Sequence, residues 1–286
     1  MQRPRPFIEQ YPDHTHSTWR WENGQWRQLQ ADPIAPESPF AIRILHGAKT
    51  GRTALDFAIA MRSPGNDQDL ILGYLFSEGI IHSNTDVDEL ELVSQEAANV
   101  YLNPQLSFDP AQYQRVGYAN SSCGLCGKAD LEQVQRTIAF FPAKGHPLVP
   151  PTRLQQLPQL LREQQNMFST TGGIHATALF TADGELLKIT EDVGRHNALD
   201  KLLGWALQHQ QFPWRDRIVL LSGRISYELV QKAAMAGTPI LAAIGAPSSA
   251  AIELAEASGM TLVGFVRQDR LNVYTYPDRV LESEKH

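Results

Sequence analysis

The sequence predicts an α/β protein whose second half contains a buried, largely parallel sheet. Three apolar segments at residues 217–221, 239–244 and 261–266 are separated by two helical segments, with glycine or serine at the junctions. Apolar strands that alternate with helices are typical of a parallel sheet covered on both faces. Ligands bind such sheets beyond the carboxyl ends of the strands, so the loops there are where we first expect a site.

Length and composition set the domain organisation and exclude some functions. We expect two domains, an α+β domain at residues 1–114 and an α/β domain at residues 115–286. The formal net charge of -6 argues against a nucleic-acid binder. Because the chain has no apolar run of membrane-spanning length and no apolar segment near its N-terminus, we expect a cytoplasmic protein without a membrane partner.

The first half of the chain predicts strands around one helix. Three tryptophans around an Asn-Gly pair in residues 19–26 alternate with polar residues, which predicts a β-hairpin. Apolar residues recur at helical spacing from Asp67, and Gly79 is placed to end that helix. Further strands are predicted at residues 40–45, 87–93 and 99–106.

A group of chemically versatile side chains lies at strand ends in residues 175–224. Strands are predicted at residues 176–180 and 186–190, and a helix with an apolar stripe follows at residues 198–206. Asp192 or Glu191 could orient His196 as an acid or base partner, and arginines in loops after strands can contact anions. The candidates in this group are His175, Asp192, Arg195, His196, Ser222 and Arg224.

Both cysteines of the chain lie in the stretch Asn120-Ser-Ser-Cys-Gly-Leu-Cys-Gly-Lys128. Glycines on both sides of Cys126 let the backbone bend sharply, because glycine tolerates positive φ. A helix is predicted at residues 129–138, and its N-terminus together with the Lys128 cation favours thiolate over thiol. Three interpretations stay open for the pair: metal ligands, a redox dithiol or a carrier of sulfur.

A zinc site and a thioredoxin-type dithiol both fit the sequence poorly. Zinc deaminases combine H-x-E with P-C-x-x-C, whereas no histidine here has Glu two residues later and Ser122 replaces the proline. With two thiols only, zinc would need His175 or His196 to complete its ligands. A thioredoxin motif follows a strand in an early βαβ pattern, but this motif lies in mid-chain between glycines.

Several motifs together resemble one known family. From residues 72–81 to nearly the C-terminus, the sequence is similar to FdhD, the family of formate dehydrogenase accessory sulfurtransferases. The motifs are Ser122-Cys-Gly-Leu-Cys-Gly127, Glu191-Asp-Val-Gly-Arg-His196, Ala198-Leu-Asp-Lys-Leu-Leu-Gly204, Ser226-Tyr-Glu-Leu-Val-Gln-Lys232, Leu262-Val-Gly-Phe265 and Val273-Tyr-Thr275.

The resemblance implies a carrier that accepts persulfide sulfur from a cysteine desulfurase and passes it to the molybdenum (or tungsten) bis(molybdopterin guanine dinucleotide) cofactor of formate dehydrogenase. It also implies a homodimer with a cytidine-deaminase-like, three-layer core, for which GDP is a partial mimic of the cofactor. The persulfide would form on Cys123 with Cys126 as its partner, although the helix argument alone favours Cys126. The implied cofactor-binding residues are Phe265, Val266, Arg267, Gln268, Asp269 and Arg270.

The sequence departs from some relatives at Ile174, where they have a cysteine just before the histidine. Any role of that extra thiol does not apply here, so the two-cysteine motif has to suffice. Two other functions are alternatives: a zinc-dependent, deaminase-like hydrolase, and a non-catalytic cofactor-binding chaperone whose cysteines serve only assembly with a partner. For the sulfur carrier we expect no resident metal.

Overall fold

A computed structural model describes residues 14–112, 138 and 140–280 of the chain. The strands are β1 (Thr15–Glu22), β2 (Gln25–Pro33), β3 (Ser38–His46), β4 (Thr53–Arg62), β5 (Val87–Ser94), β6 (Ala97–Leu102), β7 (His175–Thr181), β8 (Leu186–Asp192), β9 (Arg217–Leu221), β10 (Ile240–Ala243), β11 (Thr261–Gly264) and β12 (Asn272–Val273). The helices are α1 (Asp67–Ser77), α2 (Pro151–Gln164), α3 (Asn166–Thr171), α4 (Arg195–Gln208), α5 (Tyr227–Met235) and α6 (Ser249–Ala257), and short 3-10 turns lie at Asn84–Asp86, Pro110–Gln112 and Pro277–Arg279.

The second half of the chain is built on a six-stranded sheet with the order β12-β11-β10-β9-β7-β8. The strands β9, β10 and β11 are parallel, as their alternation with helices predicted. The neighbours β7, β8 and β12 pair antiparallel, so the complete sheet is mixed. Helices α5 and α6 are the connections between the parallel strands, because parallel neighbours need a long crossover.

Alternate side chains of the central strands bury both faces of this sheet. Val219, Leu221 and Leu241 face α4, α5 and α6 in the larger hydrophobic core. Ile218 and Leu220 point the other way, into a second core with the apolar stripe of α2. The period of two residues in a strand explains this division. The sheet between two helical layers confirms the predicted three-layer α/β architecture.

The first half of the chain adds two smaller sheets. The hairpin β1-β2 turns at Asn23-Gly24, where both residues have positive φ, and this confirms the predicted hairpin. A four-stranded sheet has the order β4-β3-β6-β5, and Phe40, Ile42 and Val100 from its inner face enter the larger core with α1. Strand β4 had no counterpart among the predicted strands, and β6 ends at Leu102, four residues earlier than expected.

Helices α1 and α4 cross in direct backbone contact through two glycines. A Cβ on Gly73 would lie 2.6 Å from the carbonyl carbon of Asp200 and closer still to its oxygen, and a Cβ on Gly204 would meet the Asp69 carbonyl in the same way. Because real Cβ atoms essentially never approach within 3.0 Å of other atoms, both positions require glycine. The crossing fixes α4, which starts at Arg195, against the first half of the chain.

A buried ion pair joins the same helices to α5. The ammonium group of Lys232 donates to both carboxylate oxygens of Asp200 at 2.8 and 2.9 Å and to the hydroxyl of Ser77 at 2.7 Å. Burial raises the pKa of Asp200, while the Lys232 cation acts in the opposite direction. The pair therefore stabilises the arrangement only while both partners are present, because either charge alone would be buried without compensation.

Several predictions lie outside the described residues. They include the cysteine motif, the helix predicted at residues 129–138 and the domain boundary near residue 114, which all stay predictions. Across the described ranges, none of the helices is long and apolar enough to cross a membrane.

Candidate functional site

The candidate site lies at the edge of the six-stranded sheet where β9, β10 and β11 end. The loops after these strands bind each other through the main chain: the Gly245 N–H donates to the Gly223 carbonyl, and the Phe265 N–H donates to the Gly245 carbonyl, both at 3.0 Å. A Cβ on Gly245 would lie 2.6 Å from the Gly223 oxygen, so this close approach requires glycine. We call this surface the loop shelf, which comprises residues 222–226, 244–248 and 265–270.

The segment that the resemblance assigned to cofactor binding, residues 265–270, forms the third part of the loop shelf. Phe265 has a φ of 53°, which turns the chain sharply after β11. The Arg267 N–H donates to the Arg270 carbonyl at 2.8 Å, and the Arg267 guanidinium donates to the Ile244 carbonyl at 2.9 Å. Val266 is buried, whereas the side chains from Arg267 to Arg270 are exposed. The turn therefore presents two arginines, Gln268 and Asp269 to solvent.

His175 and Ser222 meet where β7 begins and β9 ends. The Ser222 hydroxyl accepts the Ala176 N–H at 2.9 Å and lies 3.5 Å from Nδ1 of His175. A Cβ on Gly223 would lie 3.2 Å from the His175 ring, so the glycine leaves room for the imidazole. Burial, followed by the cations of Arg195 and Arg224, lowers the pKa of His175. The imidazole is therefore neutral at pH 7.

Arg195 and Arg224 supply positive charge beside this histidine. Arg195 is the first residue of α4, and its Nε is buried without a hydrogen-bond partner among the described residues. Arg224 lies in the loop after β9 with an exposed side chain. The ion pairs found in the described ranges do not include either arginine. Two cations that form no ion pair with a carboxylate of the described residues favour an anionic ligand at this edge of the sheet.

The two acids expected to orient His196 bind elsewhere, so that prediction was wrong. Asp192 is fully buried, where its carboxylate lies 2.8 Å from the Lys201 ammonium and accepts the Ser63 N–H at 3.1 Å. Glu191 accepts two backbone N–H groups at the start of α3, both at 3.2 Å. Asp192 thus supports the strand end behind the site rather than facing a ligand.

His196 instead contacts two residues at the start of α5, Ser226 and Glu228. Its Nε2 lies 3.1 Å from the Ser226 hydroxyl and 3.3 Å from Oε2 of Glu228. Burial, with smaller effects from Arg195 and Lys232, lowers the pKa of His196 to about 4. The spacing of residues in the sequence could not predict this contact of a neutral imidazole with a serine and a carboxylate, because Glu228 lies far from His196 along the chain.

The structure therefore brings most of the predicted residues to one edge. His175, Ser222, Arg195 and His196 are connected by direct contacts or through-space charge effects, and Arg224 lies beside them. Ser226 and Glu228 were missed as site residues, although the motif that contains them was noted. In the part of the chain that the structure describes, no three His, Cys, Asp or Glu residues are grouped so that they could hold a metal ion.

A family model, sequence relatives and a solved structure all relate this chain to the same group of proteins. The model of the FdhD/NarQ family matches residues 50–281. The sulfur carrier protein FdhD of Mycolicibacterium paratuberculosis is 45% identical over 258 residues, which cover 87% of this chain and 92% of the relative. The protein of the same name from Sulfolobus acidocaldarius is 40% identical over 255 residues, covering 89% and 94%. A crystal structure described as a formate dehydrogenase accessory protein from Desulfotalea psychrophila superposes with a TM-score of 0.70 and 25% identity, covering 93% of this chain and 98% of that one.

Proposed function

Because the chain belongs to the FdhD/NarQ family, we propose that it is a sulfurtransferase that carries persulfide sulfur from a cysteine desulfurase to the molybdenum bis(molybdopterin guanine dinucleotide) cofactor. The cofactor is its substrate, and formate dehydrogenase is the enzyme that needs the product. The observation that carries the proposal is the family match over residues 50–281, which include Cys123 and Cys126, both cysteines of the chain. Homologues at 40 to 45% identity are named sulfur carrier proteins.

Sulfur loading needs no oxidant or reductant. The thiolate of Cys123 attacks the outer sulfur of the donor persulfide, the sulfur–sulfur bond of the donor breaks, and the donor cysteine leaves as a thiolate. Cys126 could then attack the inner sulfur, which would give a Cys123–Cys126 disulfide and release hydrosulfide. Sulfur delivery therefore has to be faster than this internal reaction, so docking or shielding must favour the outer sulfur.

The loop shelf and its cations support the cofactor part of the proposal. A dinucleotide carries negatively charged phosphates. In α/β proteins such groups bind to backbone N–H groups in the loops at the carboxyl ends of parallel strands. Arg195 and Arg224 have no carboxylate partner among the described residues, and Arg267 and Arg270 are exposed on the adjacent turn. We assign the anionic part of the ligand to these arginines, with Ser222 and neutral His175 as hydrogen-bonding partners.

The proposal extends to the cellular context. From the resemblance to FdhD we infer a cytoplasmic homodimer. It has to meet the desulfurase and the formate dehydrogenase in turn, because both the sulfur donor and the cofactor have to reach the same pair of cysteines. Size-exclusion chromatography with light scattering measures the oligomeric state directly, and a monomer at micromolar concentration would contradict this part.

The central experiment is mass spectrometry of the intact protein after incubation with a cysteine desulfurase and cysteine. The wild type is expected to gain the mass of one sulfur atom, and alkylation followed by peptide mapping is expected to place it on Cys123. Cys123→Ser should abolish the gain, and Cys126→Ser should retain it. No added sulfur on either cysteine would refute the carrier.

A maturation assay separates the carrier from a chaperone that only holds the cofactor. Formate dehydrogenase produced in cells lacking the endogenous carrier is expected to be inactive with Cys123→Ser and active with the wild type. Full activity with Cys123→Ser would favour the chaperone. Zinc content measured on the purified protein tests the hydrolase, because that function requires one metal ion per chain with both thiols protected.

A further inference from the structure

Two serines of the loop shelf, Ser226 and Ser248, lie immediately before helices α5 and α6, and only one of them caps its helix with its side chain. The hydroxyl of Ser248, at the start of α6, accepts the Ala251 N–H at 3.2 Å, which is the usual role of serine at this position. The hydroxyl of Ser226, at the start of α5, makes no such bond. It donates to Oε2 of Glu228 at 2.9 Å and lies 3.1 Å from His196. Helix α5 therefore has no side-chain N-cap, because the Ser226 hydroxyl binds the Glu228 carboxylate instead.

This arrangement fixes one oxygen of Glu228 and leaves the other available. Both Ser226 and His196 contact Oε2, whereas Oε1 has no partner among the residues that the structure describes. The Glu228 side chain is 22% exposed, so a ligand at the loop shelf can reach it. A carboxylate held by two neighbours on a helix is a preorganised acceptor for hydrogen bonds, because little side-chain freedom remains to be lost on binding.

The surrounding charges restrict what this acceptor can bind. Arg195 and Lys232 act on the adjacent His196, and Arg224 lies in the loop that leads into α5. A cationic ligand group would be repelled by these side chains, whereas a neutral group with N–H donors would not. The same cations favour an anion elsewhere in the ligand. A carboxylate beside cations is therefore complementary to a ligand that has neutral N–H donors at one end and a negatively charged group at the other.

We propose that Glu228 is the specificity-determining residue for guanine: Oε1 accepts one of the two donors on the base edge, N1–H or the 2-amino group, and Oε2 accepts the other in addition to its contacts with Ser226 and His196, which act as positioning residues. The inference rests on the proposed function, whose substrate contains guanine nucleotides. Adenine presents an acceptor at N1 and no 2-amino group, so the carboxylate oxygens would face a lone pair. Hypoxanthine keeps N1–H and lacks only the amino group. Glu228 therefore selects among purines, and the arginines bind the phosphates of all of them.

Calorimetric titration of the full chain with GDP, IDP, ADP and XDP tests this assignment. The wild type is expected to bind GDP about tenfold to hundredfold more tightly than ADP, with IDP between them, since a well-placed pair of hydrogen bonds discriminates between bases to this degree. Glu228→Gln should lose that preference and leave ADP binding unchanged. Xanthine has a carbonyl in place of the 2-amino group, and the glutamine amide can donate to it, so Glu228→Gln should bind XDP more tightly than the wild type does.

The gain in XDP binding cannot arise from damage to the fold, and Glu253→Gln on α6, an exposed glutamate, is the matched control that should behave like the wild type. Ser226→Ala should weaken GDP binding and spare ADP binding, as expected of a positioning residue. Equal affinity of the wild type for GDP, IDP and ADP would overturn the inference alone. Failure to bind any of these nucleotides would overturn both the inference and the cofactor part of the proposed function, and sulfur loading would still test the carrier separately.

Discussion

Replacing Gly73 by alanine is expected to destabilise the protein by forcing α1 and α4 apart. The new Cβ would lie 2.6 Å from the Asp200 carbonyl carbon, so the helices must separate by at least the 0.4 Å that restores 3.0 Å, and further for the oxygen. Overpacking of this kind costs up to about 3 kcal/mol. The higher helix propensity of alanine offsets about 1 kcal/mol of this cost. The expected net loss in the free energy of unfolding is therefore about 2 kcal/mol.

Urea denaturation followed by circular dichroism measures this loss. The midpoint should fall while the slope stays unchanged, because the surface exposed on unfolding is the same. Gly173→Ala is the matched control, since a Cβ there would meet nothing closer than 3.7 Å and Gly173 lacks positive φ. It should stay within about 0.5 kcal/mol of the wild type. If Gly73→Ala were as stable as this control, the two helices would not be held in contact, and our account of how α4 is positioned would be wrong.

Three further outcomes are expected. Lys232→Met should lose about 3–5 kcal/mol at pH 7, measured by urea unfolding, because it leaves Asp200 charged and buried; the deficit should shrink as pH falls, since burial already raises the pKa of that carboxyl. His196→Gln should make stability less sensitive to acid: because burial lowers the pKa of the imidazole to about 4, the wild type loses up to about 3 kcal/mol as pH falls from 6.5 towards 4, and the variant, followed by urea unfolding over the same pH range, should not lose this part. Arg267→Ala should weaken GDP binding about tenfold or more, whereas Arg217→Ala at the opposite edge of the sheet should not; equal losses in the two variants would refute an anion contact at the turn.

Features set by local sequence were predicted well. The Asn-Gly pair specified the hairpin, because both residues tolerate the positive φ that a two-residue turn needs. The three parallel strands followed from apolar runs between helices, and their ends located the loop shelf. Strand β4 was missed although it alternates, since its outward side chains Ile59 and Met61 are exposed apolar residues that blur the polar and apolar pattern.

Partners of charged side chains were predicted poorly, because they come from distant parts of the chain. Asp192 is adjacent in sequence to the site motif, yet its carboxylate binds Lys201 and the Ser63 backbone. The partner of His196 proved to be Glu228, which reaches it only after β9 and α5 have folded back beside α4. Spacing along one segment carries no information on such pairs. The motifs that revealed the family also include Asp200 and Lys232, whose buried pair supports the fold rather than a ligand.

The two buried carboxylates limit how far this protein can be shortened. Asp192 receives an N–H from Ser63, and Asp200 receives the hydroxyl of Ser77, so each depends on a residue from before the cysteine motif. A fragment of residues 138–280 would contain all the residues of the loop shelf, but both carboxylates would lack these hydrogen-bond donors. Any minimal scaffold for transplanting this site into another protein therefore has to carry the β4–α1 segment as well.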